Sequence, residues 1–586
     1  MARRILNALR QWTASARSRR ANRLQPANRP RRLFCEGLED RRLLAIDVTS
    51  FVAGVSVTFT GDQGGDAADA LVLGTSGGLV THNLPTGGAY ADNTDFDPNP
   101  GATATISAAG AEAIFVNLGN LDDGLTVGAG LSTHPITFNG GAGSNTLVGP
   151  NAANTWQITG ADSGNMNGAT VLSFFSVQNL VGGTDADSFV LDGGTLSGSI
   201  DGGGGAGANT LQGDNYRTIW TVNAADAGTL TDSDANPVVG GFSRIQNLVG
   251  GQGMDSFELS GGTLSGSIDG GWDLDSIHGD NVPNVWTING SGAGTVTGVA
   301  GGFTSIEHLL GGTDTDWFTI SGGTLSGSID GNTGAGVNTL QGDDRENTWT
   351  ITGADAGTLT GLTSGFSHIQ NLVGGSLGDS FTFASAGSVT GTVDGGDGED
   401  TLTGDNAGRT FAVTGANSGT LTGKTSGWSN IENLTGGSGD DTFNVAAGAS
   451  LSGQIHGGAQ TAADTLNIDA DGADVAVSPG KITTGGVDLN YQGIESVHVT
   501  DPGATTLTGD LSISLTIDGD VTVNADGAFN MAAGSSLTAT GSVTINVGQD
   551  GNGSSSTLAG TITADGAVTI NGGTGSDSLT IDFSTA

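Results

Sequence analysis

The sequence predicts an all-β fold: a parallel β-helix (β-solenoid) with about 21 residues per coil and three coils in each repeat of about 63 residues. Three observations carry that prediction. The composition holds 105 glycines and 11 prolines in 586 residues, a hydrophobic marker returns at a near-constant interval, and one decapeptide is written three times without change. Glycine at this level disfavours helices, because each costs about 1 kcal/mol against alanine inside one. At 35% hydrophobic residues with little proline, the chain is also too apolar for simple disorder.

The marker is Leu118, Leu180, Leu248, Leu309, Leu372, Leu434 and Val497, in segments such as SVQNLVGG, SIEHLLGG and NIENLTGG. Trp156, Trp220, Trp286, Trp349 and Phe411 keep the same beat. Inside each repeat, Gly-Gly or Gly-Asn pairs at 250, 311, 374 and 436 return at 270, 331, 395 and 457, which gives the coil length. The decapeptide GGTLSGSIDG occupies 193–202, 261–270 and 322–331, with looser copies at 387–395 and 448–457. Written as a strand, it puts Leu196, Gly198 and Ile200 on one face and Thr195, Ser197, Ser199 and Asp201 on the other. Like side chains are expected to stack over their counterparts in other coils, with glycine turning the corners. The tryptophans, each near the start of an alternating strand, are expected to form a buried ladder in preference to an exposed sugar-stacking stripe.

Four regions follow. Residues 1–45 are a basic leader, expected to be disordered or removed, and 46–117 begin the solenoid with a looped insertion. Residues 118–499 carry the regular repeats, and 500–586 form looser coils whose uncapped end is open to edge or end-to-end contacts. Twelve of the 18 basic residues lie in the first 42 positions against three acids, so that segment carries +9 and the rest −51, which together make the −42 total. Such a field repels nucleic acid and anionic lipid and attracts cations. Cys35, the only cysteine, sits in the leader, so the body has no thiol chemistry. No apolar run approaches the length of a bilayer span, so no membrane-spanning helix is expected.

The segment LEDRRLLA at 38–45 resembles the short Leu-Glu-x-x-Arg-x-Leu-Leu element near the start of large cell-surface proteins of planctomycete bacteria, with Asp40 where proline is common. That resemblance implies export, and hence an extracellular or cell-surface location. The coils after 500 resemble haemagglutinin-like β-helices.

Aspartate recurs at the glycine corners as Gly-Gly-x-x-x-Asp: Asp187, Asp255, Asp316, Asp379 and Asp441 in the first coil of each repeat. Asp275, Asp400 and Asp464 occupy the second coil, where Asn145, Asn209 and Asn338 stand in other repeats. GGQGMDSF, GGDGEDTL, GGSGDDTF and GGTGSDSL, the last containing Asp577, resemble the GGxGxDxL calcium repeat of RTX proteins. The resemblance implies structural Ca2+ held by glycine carbonyls and aspartate oxygens. These copies do not follow one another in tandem as nonapeptides, which leaves a one-sided ladder with Asp255 below Asp275 and Asp379 below Asp400. The residues alone leave two readings open: a cation between stacked carboxylates, or side-chain caps on turn amides without metal.

No catalytic constellation stands out. The body has six cations, and Arg217, Arg345 and Arg409 each sit near aspartates (Asp214, Asp343 with Asp344, and Asp405), which reads as local ion pairing. The seven histidines lack metal-ligand spacing. The expected function is therefore structural or adhesive, not enzymatic, with a carbohydrate or matrix partner. The alternative is a polysaccharide lyase or glycoside hydrolase on a β-helix scaffold, the latter needing a spaced carboxylate pair.

Overall fold

The computed structural model describes residues 47–52, 56–60, 68–76, 79–83, 104–106, 113–131, 134–168, 170–459, 463–525, 528–548, 555–573 and 578–581. Among them are 57 strands and no α-helix. From Ser56 onward the described strands fall into two long sheets, apart from Ser555–Leu558 and Ser578–Ile581, which pair with each other, and most neighbouring strands within a sheet are parallel. Leu248 lies beside Ile268, Phe257 beside Ile277, Leu372 beside Val393 and Leu434 beside Ile455. Each of those neighbours stands one glycine-corner interval further along the sequence, so the parallel solenoid and its coil length are as the sequence predicts.

The repeat divides differently from three equal coils. One repeat runs through seven strands: β1 (Asn247–Gly251), β2 (Ser256–Leu259), β3 (Ile268–Gly271), β4 (Ser276–His278), β5 (Asn284–Gly290), β6 (Ala293–Val296) and β7 (Val299–Thr304). Strands β1 to β4 alternate between the sheets and make two plain laps. Then β5, β6 and β7 stay in one sheet as an antiparallel meander, with Trp286 opposite Val296 and Gly294 opposite Phe303. On its far side β7 runs parallel to β3, and β5 runs parallel to the Asp316–Ile320 strand that follows. Each repeat thus makes five visits to the sheets. Five is odd, so the next repeat starts on the opposite sheet: Trp286 and Phe411 lie in one, Trp220 and Trp349 in the other.

Local chemistry makes the meander. Its tight turn carries Asp162, Asp226, Asp355 or Asn417 at φ between 46° and 52°, a left-handed conformation that Asp and Asn tolerate better than most residues. On the middle strand, Gly294 is needed for close approach: a Cβ there would meet the Thr287 carbonyl and the tip of the Phe303 ring. Gly164, Gly228 and Gly357 hold the same place beneath Phe174, Phe242 and Phe366.

The tryptophans are buried as the sequence predicts. Trp156, Trp220, Trp286 and Trp349 are fully buried and stack on Phe189, Phe257, Phe318 and Phe381 in the next strand, at centroid distances of 5.4 to 5.6 Å. The meander's last strand adds a second ring edge-on, such as Phe242 against Trp220 at 6.3 Å. Such pairs add about 0.5–1.5 kcal/mol beyond their buried area. In the fifth repeat the sizes exchange, with Phe411 on the first meander strand and Trp428 on the last, which conserves volume.

The decapeptide buries Leu196 and Ile200, Leu264 and Ile268, and Leu325 and Ile329, as its alternation predicts. The expectation that copies stack on each other is overturned. Ile200 lies between Leu180 and Phe242, and Ile268 between Leu248 and Phe303. Identical residues recur because every copy meets the same two neighbours, a marker leucine before it and the exit strand of a meander after it. Its serines close the contact: Ser197 and Ser265 donate backbone N–H to the meander-turn carboxylates of Asp162 and Asp226.

Candidate functional site

The aspartates singled out by sequence line the corners, where the chain leaves one sheet for the other. They fall into two chemically distinct sets. In the first, both carboxylate oxygens are occupied by donors. Asp187 accepts from the Asn154 amide N–H and side chain and from Gly183 N–H, Asp316 from the same groups of Asn284 and from Gly312, and Asp379 from Asn347 and Gly375 N–H. Asp255 accepts from Thr218 N–H and hydroxyl and from Gly251, and Asp441 from Arg409 and Gly437 N–H. Burial pushes all five carboxyls upward, and the amide donors oppose it. A shell of N–H groups stabilises an anion, and these five carry the donor set of turn caps.

The second set stacks one strand further along. Asp275 Oδ1 accepts from Asp255 N–H at 2.7 Å, Asp400 from Asp379 at 2.6 Å and Asp464 from Asp441 at 2.8 Å. The ladder of Asp255 with Asp275 and Asp379 with Asp400 therefore exists, linked by amide-to-carboxylate hydrogen bonds. The other oxygen differs. Oδ2 of Asp275 and of Asp400 is buried without a hydrogen-bond partner. Burial, with neighbouring acids adding to it, raises Asp275 to about 7 and Asp400 to about 6, and raises Asp464 as well.

Two partners of this set escaped sequence reasoning. The backbone N–H of the corner residue donates to a side chain just before the marker leucine: Asn145 to Gln178, Asn209 to Gln246 and Asn338 to Gln370, but Asp275 to Glu307, Asp400 to Glu432 and Asp464 to Glu495. Asn always meets Gln and Asp always meets Glu, over six repeats. The second of these partners is the residue at the meander exit. Ser176, Arg244, Ser305, His368 and Asn430 all have φ between 51° and 55°, and Gly493 has 64°. That conformation turns the carbonyl toward the corner. Nδ2 of Asn145, Asn209 and Asn338 donates to the carbonyls of Ser176, Arg244 and His368 at 2.9, 3.0 and 3.1 Å. In the other three repeats Asp Oδ2 holds that place beside the carbonyls of Ser305, Asn430 and Gly493, the pair lining the space that a Cβ on Gly270, Gly395 or Gly457 would fill. The internal repeats are their own alignment, and reading Asn145 against Gln178 and Asp275 against Glu307 would have exposed the network.

No group of three or more His, Cys, Asp or Glu side chains placed to hold a metal ion occurs among the described residues. Asp577, the leader, Cys35 and LEDRRLLA lie outside the described residues. Arg409 pairs with Asp405 through two bonds of 2.7 Å, and Arg345 lies 3.6 Å from Asp343. Sequence reasoning missed Lys424, a buried cation at the place of Leu362 in the preceding repeat. It bonds Asp405 at 2.9 Å and the carbonyls of Ala384, Ser385 and Gly387, and Arg409 and Lys424 together hold the Asp405 carboxyl well below the usual range. GKTSGW against GLTSGF was the signal.

One corner gathers large exposed side chains. In three neighbouring turns of that corner, Tyr216, Met254, Trp272 and Leu274 are exposed, the two aromatics at 74% and 76%. Exposed Asn215, Gln252 and Asp273 flank them. Elsewhere the positions of Met254 and Leu274 carry Ala186, Thr315, Gly378, Glu399 and the exposed Val337, and no other corner gathers two exposed aromatics among the described residues.

The chain matches no known family model, and no curated protein is similar to it in sequence. Its kinship is that of a generic parallel β-solenoid, read from the strand pairing itself.

Proposed function

We propose that the chain is an extracellular or cell-surface scaffold that displays an adhesive contact. The observation that carries this reading is the exposed corner of Tyr216, Met254, Trp272 and Leu274 on a solenoid whose large inward side chains are consumed by packing. Aromatic faces flanked by amide and carboxylate groups offer stacking and hydrogen bonding together, the chemistry that recognises a carbohydrate. The LEDRRLLA resemblance supports export, and the acidic body supports solubility outside the cell.

Structural calcium is the finer expectation carried by the RTX resemblance. The amide shells of the first aspartate set favour caps that hold the corners without it. Melting followed by circular dichroism with calcium and with a chelator tests this point, and caps predict the same midpoint in both. For the adhesive reading, glycan-array binding by the intact chain should fall at least tenfold with Trp272→Ala and Tyr216→Ala together. Unchanged binding, or no glycan bound by either form, contradicts it. Release of reducing or unsaturated sugar ends from a bound glycan would instead favour the polysaccharide-processing alternative.

A further inference from the structure

We propose that Asp275, Asp400 and Asp464 are proton-binding sites, each a neutral carboxylic acid whose Oδ2–H donates to the main-chain carbonyl of the meander-exit residue, Ser305, Asn430 and Gly493 respectively. One molecule carries both versions of the joint. Three of six joints put an amide NH2 against that carbonyl, at 2.9 to 3.1 Å. The other three put a carboxyl oxygen in the same space, with Oδ2 and the carbonyl oxygen both within 2.6 Å of the point where a Cβ on the corner glycine would lie, and two oxygens placed as that amide and carbonyl are need a hydrogen between them. An ionised Asp275 or Asp400 would leave a buried charged oxygen unpaired, since neither Oδ2 has a donor beside it. A protonated one copies asparagine.

The surroundings point the same way. Asp275 faces Asp255, Glu307 and Asp273; Asp400 faces Asp379, Glu432 and Asp394; Asp464 faces Asp441, Glu495 and Asp440. All are acidic, so each disfavours a second charge. The Asp/Glu pairing has its own logic. Glu432 takes N–H from Asp400 on one oxygen and from the Asn417 side chain on the other, whereas Gln178 and Gln246 donate to Asp162 and Asp226 in the equivalent turns. The charge sits on the glutamate and the proton on the aspartate. Calcium would need six or more oxygens at about 2.3–2.6 Å, in a space that an Nδ2 group fills in the sister joints.

The consequence is a pH response of the corner residue at three of the six joints. The native state holds these protons more tightly than the unfolded chain, whose aspartates titrate near 3.8. The stabilisation is complete below that value and is lost as pH rises, through about 6 at Asp400 and about 7 at Asp275. Asn145, Asn209 and Asn338 hold the same place with no titratable proton of their own.

The test uses the full chain and a variant carrying Asp275→Asn with Glu307→Gln, Asp400→Asn with Glu432→Gln and Asp464→Asn with Glu495→Gln. Between pH 3.8 and about 7 the wild-type unfolding constant should rise by at least about tenfold more than the variant's, since the five capped aspartates are present in both. Infrared spectra of the wild type near the lower end should show a buried protonated carboxyl band that is absent at alkaline pH, a readout that stands if the variant fails to fold. Equal pH dependence in both proteins, or no such band, overturns the proposal. So does calcium raising the wild-type midpoint but not the variant's, which would make the sites cation sites.

Discussion

The meander-bearing repeats and the coils after Thr500 share two sheets and one core, yet they are built differently. After Thr500 only parallel neighbours occur among the described core strands: Val497, Leu515, Leu537 and Ile562 follow one another in one sheet, at intervals that lengthen along the chain. Tryptophan is absent from residues 500–586. No buried Asp or Asn occurs among the described residues beyond Asp464. Outward Asn524, Asn546 and Asn571 form a side-chain ladder at 2.9 and 2.8 Å, and Asp520 caps Ser542 N–H from an exposed corner. The difference teaches what the buried corner network is for. A meander sends the chain two strands ahead and brings it back, so its exit must be rejoined to the lap it left. The Asx corner, the Glx before the marker leucine and the left-handed exit residue are that splice, and they accompany the meanders.

The comparison can be broken most severely at an aromatic. Trp286→Ala removes a ring that stacks on Phe318 in a fully buried site and should cost about 3–5 kcal/mol, against about 2–4 kcal/mol for Leu515→Ala in the plain coils. Denaturant unfolding, with hydrogen exchange to locate the loss, should place the first at the 284–304 meander and the second beyond Ser496. Equal, chain-wide effects would deny the two regions their separate local stability. Next comes a cap. Asp316→Ala strips partners from the Asn284 and Gly312 amides and should cost about 2–4 kcal/mol with or without calcium. Dependence on calcium would return the corner to the metal reading. The smallest effect belongs to Arg345→Ala, whose ion pair is 3.6 Å long and three-quarters exposed on the arginine side; it should lie within about 0.5 kcal/mol of wild type.

Much of the fold was legible because strand alternation is a strict period of two. Leu196 and Ile200 had to share a face, and the regular glycine spacing had to be a lap. The meander was not legible by that route. Trp286 and Ile288 alternate identically whether the next strand is parallel or antiparallel, and a meander takes up as much chain as one lap. Asp226 and Asp355, each followed closely by glycine, were the hairpin signal, hidden among glycines present everywhere. The site was half legible: the aspartate ladder is where the sequence puts it. Its partners Glu307 and Ser305 lie beyond a whole meander, and only alignment of the repeats against each other links them.

Cross-linking gives the most direct test of the alternating-sheet repeat. Thr350 and Thr382 are outward neighbours in register on adjacent parallel strands. Thr287, equivalent to Thr350 one repeat earlier, lies on the other sheet. In a Cys35→Ser background, the pair Thr350→Cys with Thr382→Cys should form a disulfide under mild oxidation, while Thr287→Cys with Thr350→Cys should not. A bond between positions 287 and 350 in the folded chain, or none between 350 and 382, would contradict the account.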